Sequence, residues 1–259
     1  MDDIERVAQV LREAEEARAA IGPASDLVDG GLSLDAAHAV CEHNVARRID
    51  AGERIAGYKV GFTNIPVREK MGLPDSTYGY LFEDMVLGSG GSLAMDELIA
   101  PKIETEICFR LKSDLAGAGL GVDDVLAATD AVSASFEVCD ARILDWKCPY
   151  PDFFADNGFS ARIVLSGQWI PVGDVDLLGE TVKLSKDGEV FAEGKGEMAL
   201  GHPANAVSWL AGKLAQRDLG LKAGDLVMTG TLTPITPIDT GSTYEGAFST
   251  LGSVTKLFA

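Results

Sequence analysis

The stretch PKIETEICF, residues 101–109, alternates charged or polar side chains with apolar ones. Successive side chains of a β-strand point to opposite faces, so this alternation predicts a strand. Glu104 and Glu106 then lie on one face, opposite an apolar face that begins with Ile103. The apolar face belongs to a core, and the glutamate face is therefore either exposed to solvent or part of the lining of a site.

A second predicted strand, residues 131–139, carries Glu137 among side chains that are typical of a buried strand. Three carboxylates that converge without histidine or cysteine form a hard oxygen site, which suits Mg2+ or Mn2+ better than Zn2+. A cation at such a site would let the three groups stay ionised together. Spacing alone leaves a second interpretation open, in which Glu104 and Glu106 decorate an exposed strand face.

Short apolar runs punctuated by glycine continue from Ile55 to the end of the chain, which is typical of strands and turns. The predicted strands are residues 55–62, 103–111, 131–139, 161–166, 180–185, 189–195, 225–230 and 252–258. Predicted helices at residues 122–129 and 203–217 interrupt them. Strands and helices do not alternate regularly, so the pattern favours a mixed, β-rich α/β (α+β) fold over a doubly wound sheet.

The first part of the chain has a helical pattern instead. Residues 2–21 place apolar side chains at helical spacing, and a second helix begins after Ser33 and ends near Gly52. We therefore predict an N-terminal helical layer over residues 1–54 and a β-rich catalytic core over residues 55–259, together forming a single-domain enzyme.

Bulk composition excludes several classes of function. The chain has 259 residues and a formal net charge of −18, so it lacks the basic excess that nucleic-acid binding requires. No secretory leader pattern opens it, and no apolar run approaches the ~20 residues of a membrane span, which together predict a cytoplasmic protein. The four cysteines form no CxxC pair and are expected to be buried free thiols, not disulfides or metal ligands.

Other candidate site residues are less distinctive. Lys59 lies between apolar neighbours in GYKVGFT, residues 57–63, where a lysine is costly unless it is paired. A lysine that extends to solvent from a strand end is the alternative. Asp156-Asn157 reads as an Asx turn, and Thr229-Gly230-Thr231 reads either as a turn or as a strand end that presents hydroxyls and amides to a carboxylate. The three histidines show no metal spacing and are expected to cap or pack helices.

Eight blocks in order resemble the bacterial 2-keto-4-pentenoate hydratases, and the resemblance covers nearly the whole chain. They are GYKVGFT, Gly79 before LFEDM, PKIETEI, FEVCDARILDW, FFADN, LGHPANAVSWLA, AGDLVMTGTLTP and LGSV. One departure is Thr77-Tyr78-Gly79, which stands where related hydratases often have a DFG-like triplet.

The resemblance implies a fumarylacetoacetate-hydrolase-like fold, with a rolled, mixed β-sheet core, and a Mg2+ or Mn2+ ion held by Glu104, Glu106 and Glu137. It implies a hydratase of aromatic meta-cleavage catabolism that adds water to a 2-hydroxy-2,4-dienoate and so yields a 4-hydroxy-2-oxo acid. It also implies a small-molecule 2-oxo acid substrate and a homo-oligomer, sometimes with a decarboxylase partner.

Within that resemblance, each candidate residue receives an expected role. Lys59 is the expected proton-transfer residue, and Asp156 is the second expected catalytic residue, which would position substrate or water together with Asn157. Asn157, Arg142, Thr229 and Thr231 are the expected substrate contacts, although Asp140 or Asp145 could instead pair with Arg142.

Three alternatives remain open. A 4-oxalocrotonate decarboxylase would use the same chemistry on a substrate with a second carboxylate. An acylpyruvate carbon–carbon hydrolase would need a His-Glu pair near the N-terminal helices, where His38, Glu42 and His43 occur without a clear spacing. A binding protein without catalysis would bind no divalent cation, and the intact set of glutamates and Lys59 argues against it.

Overall fold

The computed structural model describes residues 2–259. Its α-helices are α1 Asp3–Ala17, α2 Leu34–Asp50, α3 Ile65–Lys70, α4 Val122–Ala128, α5 Tyr150–Ala155 and α6 Pro203–Ala215. Its strands are β1 Ile55–Gly61, β2 Thr77–Phe82, β3 Val86–Gly88, β4 Ser92–Leu93, β5 Lys102–Leu111, β6 Thr129–Cys139, β7 Ser160–Leu165, β8 Ile170–Pro171, β9 Thr181–Lys186, β10 Glu189–Lys195, β11 Leu226–Met228, β12 Thr236–Pro237, β13 Thr243–Phe248 and β14 Ser253–Phe258.

The main sheet has the strand order β2-β1-β11-β5-β6-β7-β3, with β12 beside β5 and β8 beside β6. It mixes parallel pairs, such as β1 with β11, and antiparallel pairs, such as β5 with β6. Strand β2 also contacts β7, so the sheet curls back on itself. The expected mixed, rolled β core is confirmed.

A second sheet, ordered β10-β9-β13-β14-β4, packs on the main one. The two sheets approach each other closely at Gly246 of β13, where an added Cβ would lie 3.0 Å from the Phe136 ring of β6. Phe136 belongs to the apolar face of the main sheet and is fully buried. This sheet-on-sheet contact therefore covers the face of β6 that points away from Glu137.

The N-terminal layer is built as its sequence predicts, except at one end. The Asp2 side chain accepts a hydrogen bond from Glu5 N at the start of α1, and the Ser33 side chain accepts one from Ala36 N at the start of α2. Helix α1 ends at Ala17, before the predicted residue 21, because Arg18 has a left-handed conformation. The layer packs into the same apolar core as the sheets. The proposed boundary between residues 54 and 55 stays a prediction.

Strands β2 and β13 are the main elements absent from the prediction. All six residues of β2 are buried, and Gly79 interrupts its apolar pattern. Its alternation of faces is invisible in the sequence because both faces of the strand are covered. No α-helix within residues 2–259 is long and apolar enough to cross a bilayer.

Candidate metal centre

The register of β5 and β6 brings the three predicted carboxylates together. Glu104 lies directly opposite Glu137, and Glu106 lies opposite Ser135. Opposite residues of an antiparallel pair share one face, as do residues two apart on one strand. All three carboxylates therefore project from the same face of the main sheet, which decides against the exposed-face interpretation for Glu106 because that side chain is fully buried.

The cluster contains carboxylate oxygens that the chain does not satisfy. Glu106 and Glu137 are both 0% exposed, and Glu106 Oε2 accepts a hydrogen bond of 2.7 Å from Gly230 N. Glu106 Oε1 and Glu137 Oε2 have no hydrogen-bond partner among residues 2–259, and Glu137 Oε1 has only the Lys59 ammonium beside it. Buried polar atoms are nearly always satisfied, so these orphaned oxygens indicate a site that binds something else.

Burial and mutual repulsion make the cluster reluctant to ionise without a cation. Burial and the charge of Glu137 raise the pKa of Glu104 to about 7. The same two effects, with Glu104 added, raise the pKa of Glu106 well above its ordinary value. The carboxylates can be ionised together near neutral pH only when positive charge is placed among them.

Lys59 supplies part of that charge. Its Nζ lies 3.1 Å from Glu137 Oε1, and the side chain is almost completely buried. Burial lowers the pKa of Lys59, but Glu137 opposes this effect and the net pKa is raised, so the ammonium stays protonated. Three carboxylates and one ammonium leave two negative charges, which matches one divalent cation.

Glycines give this lysine its space. An added Cβ at Gly61 would lie 3.4 Å from Lys59 Nζ and 2.8 Å from Thr77 Oγ1. An added Cβ at Gly79, the β2 residue paired with Lys59, would lie 2.2 Å from Asn157 O. A side chain at position 79 is therefore excluded by backbone, and the Asn157 turn packs directly against the strand beside Lys59.

Cys139 is a member of the cluster that the sequence analysis missed. All four cysteines are free thiols, as expected. Cys139 follows Glu137 by two residues on β6 and so shares its face, and its Sγ lies 3.8 Å from Glu104 Oε2. One ligand atom each from Glu104, Glu137 and Cys139 lie within 4.8 Å of one another. The two-residue spacing in the predicted strand was the signal that could have identified it.

Arg142 and Asp156 pair with each other. The guanidinium Nε donates to Asp156 Oδ1, Nη2 donates to Asp156 O at 2.6 Å, and Nη1 donates to Ser160 O at 3.0 Å. Burial raises the pKa of Asp156 to about 7, and Arg142 opposes that rise. Neither Asp140 nor Asp145 is the ion-pair partner of Arg142.

This pair lies apart from the carboxylates. It lines a cavity of about 300 Å³ between the α1–α2 layer and the core, and none of Lys59 and the three glutamates lines that cavity. Six of the eleven arginines of the chain border the same cavity, a feature that no sequence motif indicated. They are Arg12, Arg18, Arg47, Arg48, Arg142 and Arg162.

The side chains of the other three predicted contacts form hydrogen bonds with backbone groups. Asn157 Oδ1 accepts from Tyr80 N at 2.7 Å and its Nδ2 donates to Tyr80 O at 3.0 Å. Thr229 Oγ1 donates to Ile107 O at 2.9 Å, and Thr231 Oγ1 donates to Thr233 O at 2.6 Å. In the TGT segment it is the amide of the central glycine that reaches a carboxylate, that of Glu106.

Two of the three histidines, His38 and His202, pack or cap as the sequence suggests, whereas His43 is exposed. His202 Nδ1 accepts a hydrogen bond from Ala204 N at the start of α6. His38 packs on Phe154, and its burial, together with Arg217, lowers its pKa to about 4. Glu42 binds Arg217 through two hydrogen bonds instead of pairing with a histidine.

The chain is similar in sequence to known proteins over almost its whole length. Residues 54–258 match the family model of the fumarylacetoacetate (FAA) hydrolase C-terminal region. A 2-keto-4-pentenoate hydratase of Burkholderia vietnamiensis is 36% identical over 99% of this chain and 98% of its own length. The TodF product hydratase of Pseudomonas putida is 35% identical over 99% of this chain and 95% of its own.

Among solved structures, the chain is similar to 4-oxalocrotonate decarboxylase from Pseudomonas putida G7. The complex of that enzyme with magnesium and adipate superposes with a TM-score of 0.93 at 32% identity, covering 98% of both chains. Its complex with calcium and acetate superposes with a TM-score of 0.91. A structural relative of the same fold therefore holds divalent cations.

Proposed function

Because this chain belongs to the fumarylacetoacetate hydrolase family and, within it, to the 2-keto-4-pentenoate hydratases, we propose that it is a hydro-lyase of aromatic meta-cleavage catabolism. Its substrate is a 2-hydroxy-2,4-dienoate, such as 2-hydroxypenta-2,4-dienoate, and its product is a 4-hydroxy-2-oxo acid. The observation that carries the proposal is the set of buried, unsatisfied carboxylate oxygens beside Lys59.

Glu104, Glu106 and Glu137 are the proposed ligands of a Mg2+ or Mn2+ ion. Two oxygens without a partner, two uncompensated negative charges and an all-oxygen set of carboxylates fit a hard divalent cation. When bound, the ion would polarise the 2-oxo group of the substrate as a Lewis acid. Gly230 N–H holds Glu106 through one oxygen and leaves the other oxygen available.

Lys59 is the proposed proton-transfer residue. The neighbouring carboxylates keep its ammonium protonated, and its Nζ lies beside the proposed ligand Glu137. The ammonium would donate a hydrogen bond to the oxygen on which negative charge develops and would supply a proton in the ketonisation step. Water added at the remote carbon of the conjugated system completes the reaction.

We propose that Arg142, Asp156 and Asn157 act mainly by holding the turn at residues 156–157 in place. Asn157 joins its turn to the backbone of Tyr80, and Arg142 joins Asp156 to Ser160 O. These bonds hold the turn against β2 next to Gly79, on the side of Lys59. Arg142, Thr229 and Thr231 already donate to backbone oxygens, so direct substrate contact would use their remaining donors or acceptors.

Assembly and location belong to the proposal as well. We propose a cytoplasmic homo-oligomer that can associate with a decarboxylase, in line with the family resemblance. Exposed apolar side chains such as Leu144, which is 59% exposed, and Val190, which is 55% exposed, are candidate contact points. Size-exclusion chromatography with light scattering measures the assembly directly.

The test is the loss of ultraviolet absorbance of freshly generated 2-hydroxypenta-2,4-dienoate in the presence of purified protein. We expect turnover with Mg2+, none with a chelator, and a product heavier by one water in mass spectrometry. Absence of turnover on this substrate and on longer dienoates of the same class would overturn the hydratase proposal.

A second candidate is decarboxylation of 4-oxalocrotonate, favoured by the TM-score of 0.93 to a decarboxylase structure. The same assay, run in parallel on 4-oxalocrotonate, separates the two activities. A decarboxylase releases carbon dioxide from this substrate with two carboxylates and adds no water. Hydrolysis of an acylpyruvate is the less favoured alternative, because Glu42 is already paired with Arg217.

A further inference from the structure

We propose that Cys139 is a fourth ligand at the carboxylate centre, one that a thiophilic divalent cation such as Zn2+ or Co2+ binds and that Mg2+ leaves unbound. The inference rests on the proposed metal centre and concerns which cations that centre accepts. It is carried by the position of the Cys139 sulfur beside carboxylate oxygens that lack partners.

The distances suit coordination by one ion. Cys139 Sγ is 3.8 Å from Glu104 Oε2, and ligand atoms of Glu104, Glu137 and Cys139 lie within 4.8 Å of one another. A tetrahedral ion with sulfur at about 2.3 Å and oxygen at about 2.0 Å separates the two ligand atoms by about 3.5 Å. Small side-chain rotations would therefore close the set around a cation.

Burial and sheet geometry aim the thiol at the site. Cys139 is 3% exposed and shares its face of β6 with Glu137, whose Oε2 lacks a partner. Glu104 is the half-buried member of the cluster. The carboxylate of Glu104 is the hydrogen-bond partner of the sulfur.

Ligand chemistry then divides the cations into two groups. Mg2+ prefers oxygen ligands and retains water, so it would use the glutamates alone. Zn2+ and Co2+ accept thiolate readily, and a bound sulfur would add to the affinity from the carboxylates. Binding of sulfur would release one proton from the thiol to the buffer.

The experiment uses the intact metal-free protein and Co2+ as the probe. We expect a near-ultraviolet thiolate-to-cobalt charge-transfer band that grows with Co2+ until one ion is bound per chain. Cys139→Ser should lose this band and at least about tenfold in Zn2+ affinity, with a change in Mg2+ affinity below about twofold. Cys148→Ser, a half-buried cysteine outside the cluster, should behave as the parent protein.

The outcomes separate this inference from the proposed function. Co2+ bound without the band in the parent protein would overturn the role of Cys139 and leave the carboxylate centre standing. A failure of Mg2+ and Co2+ alike to bind would overturn the centre itself. A charge-transfer band that persists in Cys139→Ser would show that another cysteine supplies the sulfur, and would overturn the proposal for Cys139.

A second measurement avoids dependence on the variant, should Cys139→Ser fail to fold. Zinc-edge X-ray absorption of the parent protein should show one sulfur scatterer at about 2.3 Å. A first shell of oxygen and nitrogen alone would contradict the proposal.

Discussion

Two buried ionic groups, the Arg142–Asp156 pair and the carboxylate cluster with Lys59, differ in how their charges are satisfied. In the Arg142–Asp156 pair, the guanidinium donates three hydrogen bonds and the carboxylate also accepts from Arg142 N. In the carboxylate cluster, Glu137 has only the nearby ammonium of Lys59, and Glu106 has a single amide bond. Burial is nearly complete in both places.

The difference separates a structural pair from a binding site. An ion pair whose two charges compensate each other within the protein can hold two segments together and does not call for a ligand. Orphaned carboxylate oxygens are costly in the free protein and become favourable only when a cation arrives. The first group should therefore control stability, and the second should control metal binding and turnover.

The largest expected effect comes from Glu106→Gln. Loss of one ligand charge should weaken Mg2+ binding by more than about 100-fold and abolish turnover, since loss of a mere outer-shell partner can already cost that much. The metal-free protein should remain folded, because the change relieves repulsion within the cluster. Titration calorimetry and the absorbance assay measure both effects.

Glu245→Gln is the matched control, since this side chain is exposed on the second sheet. It should leave both quantities unchanged. Parental turnover in Glu106→Gln would remove the basis for the metal assignment.

Arg142→Met tests the other side of the comparison. Removing the guanidinium leaves Asp156 buried without its partner, which should cost about 3–5 kcal/mol of unfolding free energy in urea titration. The folded fraction should bind Mg2+ with parental affinity. Parental stability combined with a raised KM would instead support Arg142 as a substrate contact.

Lys59→Met keeps most of the side-chain volume and removes the ammonium. We expect kcat to fall by about 100-fold or more, in the range of a lost acid–base group. Mg2+ affinity should change far less, since Lys59 is not a ligand and its charge repels the ion. Equal losses in kcat and in Mg2+ affinity would contradict the division of roles.

The smallest effect is the pH dependence of the cluster. Because the pKa of Glu104 is raised to about 7, protons compete with Mg2+ below that pH. The affinity for Mg2+ should rise by up to about tenfold per pH unit for each proton that the ion displaces, as the pH increases towards 7. Calorimetry at several pH values tests this slope, and a flat profile would contradict the raised pKa.

Stability of the metal-free protein should follow the opposite trend. The unfolded carboxyl ionises near its ordinary pKa of 4.5 and the folded one only near 7, so unfolding is increasingly favoured as pH rises through this interval. Thermal unfolding should show this loss without Mg2+ and a smaller loss with it.

Much of the site followed from local sequence pattern. The alternation in residues 101–109 placed Glu104 and Glu106 on one face, and the registers confirm that face. Resemblance to known hydratases supplied the family and the fold, which the comparisons bear out. The predicted roles of Asp156, Asn157 and Arg142 depended on segments whose partners no pattern revealed.

Sequence by itself determined the elements with local causes: the strands with period-two alternation, the caps at Asp2 and Ser33, and the shared face of two glutamates. Tertiary structure alone decided that this face is buried, that Arg142 binds Asp156 and that Cys139 joins the cluster. The reason is physical. Side-chain direction along a strand is set by its own backbone, whereas burial and hydrogen-bond partners are set by segments distant in the chain.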